Sequence, residues 1–161
     1  MKKQTPHKQN RQPGIEAEMN PRPEYIKPGY IGSDKLKDKV ALITGGDSGI
    51  GRAVSVHFAR EGADIAIVYL DEDQDAEETK RLVEAEGRNC LLLKGDIKRI
   101  AFCKKAIRQT VRKLGKLNVL VNNAGMQVPQ KDPKKIDEKP LADTFQTNIF
   151  AYFHFAKEAV E

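Results

Sequence analysis

Tryptophan is absent from this 161-residue chain, aromatic residues make up 6%, and there are only two cysteines and three histidines. Cys90 and Cys103 have no C-x-x-C spacing, which excludes a disulfide framework and a cysteine-ligated zinc site. His7, His57 and His154 show no ligand spacing with nearby acids, so no metal centre is expected. No apolar run approaches the roughly 20 residues of a membrane-spanning helix. Met1-Lys2-Lys3 leads into polar residues rather than an apolar h-region, so a cytoplasmic, reducing home is expected. Acids are missing between Asp96 and Asp132, where nine lysines and arginines fall. That stripe reads as a solvated helix face rather than as a nucleic-acid surface.

What is present is a soluble composition with 32% charged residues, a formal net charge of +5 and a mean hydropathy of -0.59. The length suits one domain with a real core. Residues 1–38 hold five of the eight prolines, eight basic and five acidic residues, and little apolar periodicity. Such a segment buries too little surface to offset its ordering entropy alone. It is expected to be disordered, or an extended arm docked through Tyr25, Ile26, Tyr30 and Ile31.

From residue 39 the pattern becomes short apolar runs alternating with helical stretches. Strands are expected at 40–43, 65–69, 90–93 and 117–121, and helices at 50–60, 74–86 and 98–114. Nearly continuous apolar strands are covered on both faces. In the third helix Ile100, Cys103, Ile107, Val111 and Leu114 recur at spacings of three and four, which predicts the buried face. Strand–helix–strand repetition with short links gives an α/β fold with a doubly wound parallel sheet.

The first strand runs into Thr44-Gly45-Gly46-Asp47-Ser48-Gly49-Ile50-Gly51, and a helix follows. Glycines allow a tight turn and close backbone approach, while the helix start offers N–H groups and a positive dipole end. Together these suit a diphosphate.

Thr44-Gly45-x-x-x-Gly49-x-Gly51, Gly95-Asp96-Ile97 after the third strand, and Asn122-Asn123-Ala124-Gly125 after the fourth together resemble the short-chain dehydrogenase/reductase family. The likeness covers about residues 36–161. The proline-bearing start, with Gln12-Pro13-Gly14-Ile15-Glu16, resembles a bacterial glucose-dehydrogenase-like branch with an N-terminal extension. The resemblance implies a Rossmann-type sheet, incomplete at about four strands in the order 3-2-1-4, with helices on both faces. Residues 39–161 would form the N-terminal part of an NAD(P)-binding domain. Ile50 and the backbone at Ser48 and Gly49 would meet the pyrophosphate. Asp96, beside Ile97, would accept from the adenine amino group, or else cap the helix at 98–114. Asn122 to Gly125 would line the ribose side.

Cofactor choice falls at the end of the second strand, where an acid suits a ribose 2′-hydroxyl and a base suits a 2′-phosphate. Tyr69 takes that place, and Asp71 follows two residues on. No cation sits there, and Asp71-Glu72-Asp73 would repel a 2′-phosphate, so the choice between NAD and NADP leans to NAD.

Hydride transfer between a nicotinamide and an alcohol, ketone or aldehyde needs a proton-exchanging group. Asn148 matches the family's asparagine, which holds a relay water. The family's serine and Tyr-x-x-x-Lys have no counterpart, because Lys157 lies five residues after Tyr152 rather than four. The resemblance therefore implies a C-terminally shortened, cofactor-binding half that is inactive alone. Phe145, Ile149, Phe150, Tyr152, Phe153 and Phe155 leave the helix at 142–161 little polar face, so a partner surface is expected to cover it. That partner is expected to be a second copy of the chain. The alternative is a non-catalytic fragment that pairs with full-length relatives.

Overall fold

Four parallel strands form the core of the computed structural model, which describes residues 16–21 and 23–160. In chain order these are β1 (Val40–Thr44), β2 (Asp64–Tyr69), β3 (Cys90–Lys94) and β4 (Val119–Val121). The sheet order is β3-β2-β1-β4, as the resemblance implied. Register is fixed through pairs such as Leu42 with Ala66 and Leu42 with Leu120. Because side chains alternate along a strand, the two faces build separate cores. Ala41, Ile43, Ile65 and Ile67 pack with Ala59 of α1 (Gly49–Arg60) and Ala76 and Val83 of α2 (Asp73–Ala85). Leu42, Ala66, Val68 and Leu93 pack on the other face with Cys103, Ala106 and Ile107 of α3 (Ile100–Leu114) and with Phe155.

The buried face of α3 is rotated from the expected one. Cys103, Ala106, Ile107 and Thr110 are buried, whereas Ile100 and Val111 are exposed. The sheet and the final helix approach from one side, so small residues at 106 and 110 take the contact that the apolar spacing gave to 100 and 111.

The expected helix at 142–161 is three pieces: α4 (Glu138–Phe145), a π-helical turn (Gln146–Phe150) and α5 (Ala151–Ala159). The widened turn carries Asn148. Nor is α5 apolar all round, since Glu158 is buried against α3, accepting from Arg108 Nε at 3.1 Å and pairing with Lys104 at 3.8 Å. Phe145, Ile149, Phe150 and Phe153 remain exposed, and β4 is a sheet edge.

Residues 30–37 run against the C-terminal end of α1. Tyr30 packs on His57 with the rings tilted by 51° and their centroids 5.2 Å apart, and donates its hydroxyl to Glu61. Ile31 is 85% exposed and is no anchor, contrary to expectation, because the chain turns polar backbone toward Glu61 instead. Residues 1–15, including 12–15 of the branch motif, lie outside the described residues.

Candidate functional site

The carboxyl ends of the strands and the start of α1 enclose a cavity of about 390 Å³. Parallel sheets open their clefts at this end, where helix N-termini converge. Of the residues expected there, Gly45, Ser48, Tyr69, Asp96, Ile97, Asn123, Ala124 and Gly125 line it. Thr44, Gly49, Ile50, Gly51, Asp71 and Asn122 stand outside that lining, and each has a different relation to it.

Thr44 works from behind the wall. Its hydroxyl accepts from the Asn123 and Ala124 N–H groups, both at 3.0 Å, and lies 3.4 Å from the Val121 carbonyl. Asn123 returns the contact, donating Nδ2 to the carbonyls of Thr44 and Gly45 at 3.0 Å each. The ends of β1 and β4 are thereby locked in one arrangement. Asn122 donates to the Tyr152 carbonyl at 3.4 Å, and its buried Oδ1 has no hydrogen-bond partner in the structure.

Gly49 and Gly51 have separate reasons to be glycine. Gly49 has a φ of +51°, a region that side chains disfavour. A Cβ on Gly51 would sit 1.8 Å from the Gly45 carbonyl oxygen. Ile50 is 76% exposed at the helix start, where the first-turn N–H groups have no intrahelical acceptor.

The side chain of Arg52 holds the Asp47 carbonyl from Nε at 3.1 Å and from its terminal nitrogen at 3.0 Å. Thr79 adds a third bond to that oxygen at 2.5 Å. Asp47 itself lines the cavity, and burial pushes its carboxyl above the usual range.

Near the end of β2, Tyr69 donates to Asp73 at 3.0 Å, and Asp73 also meets Lys94 at 2.6 Å. Burial raises the Tyr69 phenol to about 12. The acid facing the cavity here is Glu72 rather than Asp71. Burial and the Asp71 carboxyl push Glu72 up to about 7. Three acids in succession carry no signal that singles out the middle one; the turn into α2 decides it. Lys98, Met126 and Thr147 also line the cavity and were not foreseen.

Asp96 does not cap α3. Its Oδ1 accepts from the Lys98 N–H at 2.9 Å in a local turn, while Arg99 takes the cap position. Lys98 reaches Asp143 at 3.1 Å, which draws α4 toward this loop.

Asn148 lines an adjoining cavity of about 700 Å³ that shares Gly125 and Met126 with the first. Its side chain clamps one residue, accepting from the Met126 N–H at 2.9 Å and donating to the Met126 carbonyl at 2.8 Å. Tyr152 donates to the Ala124 carbonyl at 2.7 Å, and burial raises its pKa, so the phenol stays protonated. Among the described residues, no three of His, Cys, Asp and Glu are grouped to hold a metal. No helix among them is long and apolar enough to cross a membrane.

A parallel sheet in this order, with a glycine turn and an Asn-Asn-Ala-Gly segment at one cleft, is the arrangement that the resemblance to short-chain dehydrogenases implied. A short chain dehydrogenase family model matches residues 39–161, and the chain belongs to that family. General stress protein 39 of Bacillus subtilis (strain 168) is 59% identical over 153 residues, covering 95% of this chain and 54% of the relative. Glucose and ribitol dehydrogenase of Daucus carota is 43% identical over 162 residues, covering 97% of this chain and 56% of that one. A solved short chain dehydrogenase from Burkholderia cenocepacia J2315, in complex with NADP, superposes with a TM-score of 0.76 at 29% identity. The match covers 78% of this chain and 51% of that one. The chain thus spans about half the length of the relatives it matches.

Proposed function

We propose that this chain carries the nicotinamide dinucleotide site of an oxidoreductase acting on a small alcohol or carbonyl substrate. The observation that supports it best is the cleft itself, where the glycine turn, Asp96 and the 123–125 segment meet at strand ends around one cavity. The residues fit such a ligand. Gly51 leaves no room for a side chain, and the α1 start supplies N–H groups for a diphosphate without a nearby free cation. Asp96 would accept from the adenine amino group, and Asn123 to Gly125 would wall the ribose next to the nicotinamide. When bound, the dinucleotide supplies or accepts the hydride. Asn148 and Tyr152 hold the backbone at 124–126, which separates the two cavities.

The charge of the rim alone favours NAD, but NADP is the better-supported form, because the Burkholderia relative carries it. We infer that Glu72 reconciles the two. Raised to about 7 by burial and by the hydrogen bond to the Asp71 carboxyl, it is uncharged for much of the time at neutral pH and repels a 2′-phosphate less than a free carboxylate would.

The serine and Tyr-x-x-x-Lys of the family have no match in these 161 residues, so the whole protein's turnover is proposed to need more than this chain. The exposed Phe145, Ile149, Phe150 and Phe153 favour a second copy of the chain as the covering partner, in keeping with a cytoplasmic oligomer. Titration of the chain with NADPH and NADH, followed by cofactor fluorescence, tests the central reading. Binding that Asp96→Ala weakens is expected; no binding of either form at millimolar concentration would overturn it.

A further inference from the structure

Described residues of the arm touch both ends of α1, and Glu16 reaches the glycine turn. Glu16 is 5% exposed. Its carboxylate accepts from the Gly49 N–H and from the Arg52 guanidinium, and its own N–H donates to Asp75 at 2.8 Å. Arg52 meets Asp75 at 3.1 Å and is the group that holds the Asp47 carbonyl. One acid from outside the sheet domain therefore grips both the start of α1 and the side chain that fixes the turn before it. At the other end of α1, Glu61 accepts from the Tyr30 hydroxyl and from the N–H groups of Ser33 and Lys35 at 2.9 and 3.0 Å.

Glu16 and Gly49 lie outside the cavity lining, whereas Gly45, Asp47 and Ser48 form it. Glu16 is thus bonded to the turn without itself lining the cavity.

We propose that the arm is a strap, and that Glu16 is a positioning residue that holds the glycine turn ready for a diphosphate. This rests on the dinucleotide reading of the cleft. Preorganised N–H donors bind an anion well because none of the binding energy goes into ordering the loop. With the carboxylate charge gone, Arg52 keeps Asp75 and its bonds to the Asp47 carbonyl, but the link from Arg52 to Gly49 is weakened and the end of the turn at Gly49 is freed to fluctuate.

The test compares Glu16→Gln with Tyr30→Phe, which loosens the far end of the strap and leaves the turn untouched. Two readouts are needed: amide hydrogen exchange across residues 45–52 without ligand, and affinity for ADP-ribose and for adenosine. Glu16→Gln should speed exchange at the turn and weaken ADP-ribose about tenfold, the effect of one charge-assisted bond, with adenosine unchanged. Glu16→Asp should recover part of the loss, and Tyr30→Phe should cost stability without moving the ratio of the two affinities. Unchanged exchange at the turn overturns the strap, as does faster exchange with ADP-ribose affinity intact. A wild-type chain that binds neither ligand overturns the dinucleotide reading, and the exchange data still decide whether Glu16 holds the turn.

Discussion

Replacing Gly51 with alanine sets two effects against each other, and the geometry decides which wins. Gly51 lies in the first turn of α1, and alanine is favoured over glycine in a helix by about 1 kcal/mol. On propensity alone the variant should be more stable. The new methyl, however, would stand 1.8 Å from the Gly45 oxygen, 2.7 Å from its carbonyl carbon and 2.9 Å from Asn123 Nδ2. The first two are backbone atoms, so relief requires the turn or the helix to move by about an ångström. That movement breaks the Asn123–Gly45 bond and leaves polar atoms unpaired, at about 1–3 kcal/mol. Overpacking adds about 1–3 kcal/mol. The balance is a net loss of about 1–5 kcal/mol, large against the ~5–15 kcal/mol stability of a typical domain. Urea unfolding followed by far-ultraviolet circular dichroism should show the midpoint lowered by about 1 M or more. Dinucleotide affinity should fall with it. A Gly51→Ala chain as stable as the parent would refute the steric account of the turn.

Three further outcomes follow from particular contacts. Phe155→Ala removes a fully buried ring between α5, α3 and the sheet and should cost about 3–5 kcal/mol in the same unfolding assay. Glu61 is held near 2, chiefly by the Tyr30 hydroxyl and then by the Ser33 and Lys35 N–H groups, against an ordinary value of 4.5. Its contribution is complete above 4.5 and lost as pH falls toward 2, so the acid side of the stability profile should flatten in Glu61→Gln. Glu72 has the opposite sign: the folded state prefers its proton, so its contribution is present below 4.5 and fades as pH rises through about 7. Over the same upper range the NADPH-to-NADH affinity ratio should decline. Glu72→Gln should hold that ratio constant, and a parent ratio independent of pH would remove Glu72 from cofactor choice.

The parts of the fold that were legible are those with a repeating or sterically unique signal. Val40 to Ile43 and Ile65 to Val68 are apolar at every position because both faces of the strand are covered, and few other structures produce that pattern. The turn at 44–51 was legible because only glycine tolerates its close approaches. The buried side of α3 was misjudged because hydrophobic spacing reports which residues can be buried, while α5 and the sheet decide which are. Thr110 is buried and Val111 exposed for that reason. Glu16 belonged to the motif that carried the branch resemblance, but nothing in the sequence pointed to its contacts. Its partners are 33, 36 and 59 residues away, and a single acid among prolines has no periodicity to read.

The distribution of charge explains why the geometry of the turn matters more here than its electrostatics. The cavity is lined by Asp47, Glu72 and Asp96, against one cation, Lys98, which is already paired with Asp143. Arg52, the other cation close by, is 4% exposed and shared between Glu16 and Asp75. A buried guanidinium so neutralised offers little field to an incoming diphosphate. What remains for the anion is the row of N–H groups at the start of α1 beyond Gly49, whose own N–H Glu16 already takes, and their attraction is short-ranged and directional. A long-range positive field would tolerate a loose turn, since charge acts at several ångströms, but N–H donors do not, because a hydrogen bond weakens steeply as its angle falls toward about 120°. In this chain the fixed turn stands in for the missing positive charge. The cation that would otherwise attract the phosphates is used, through the Asp47 carbonyl, to hold the turn rigid.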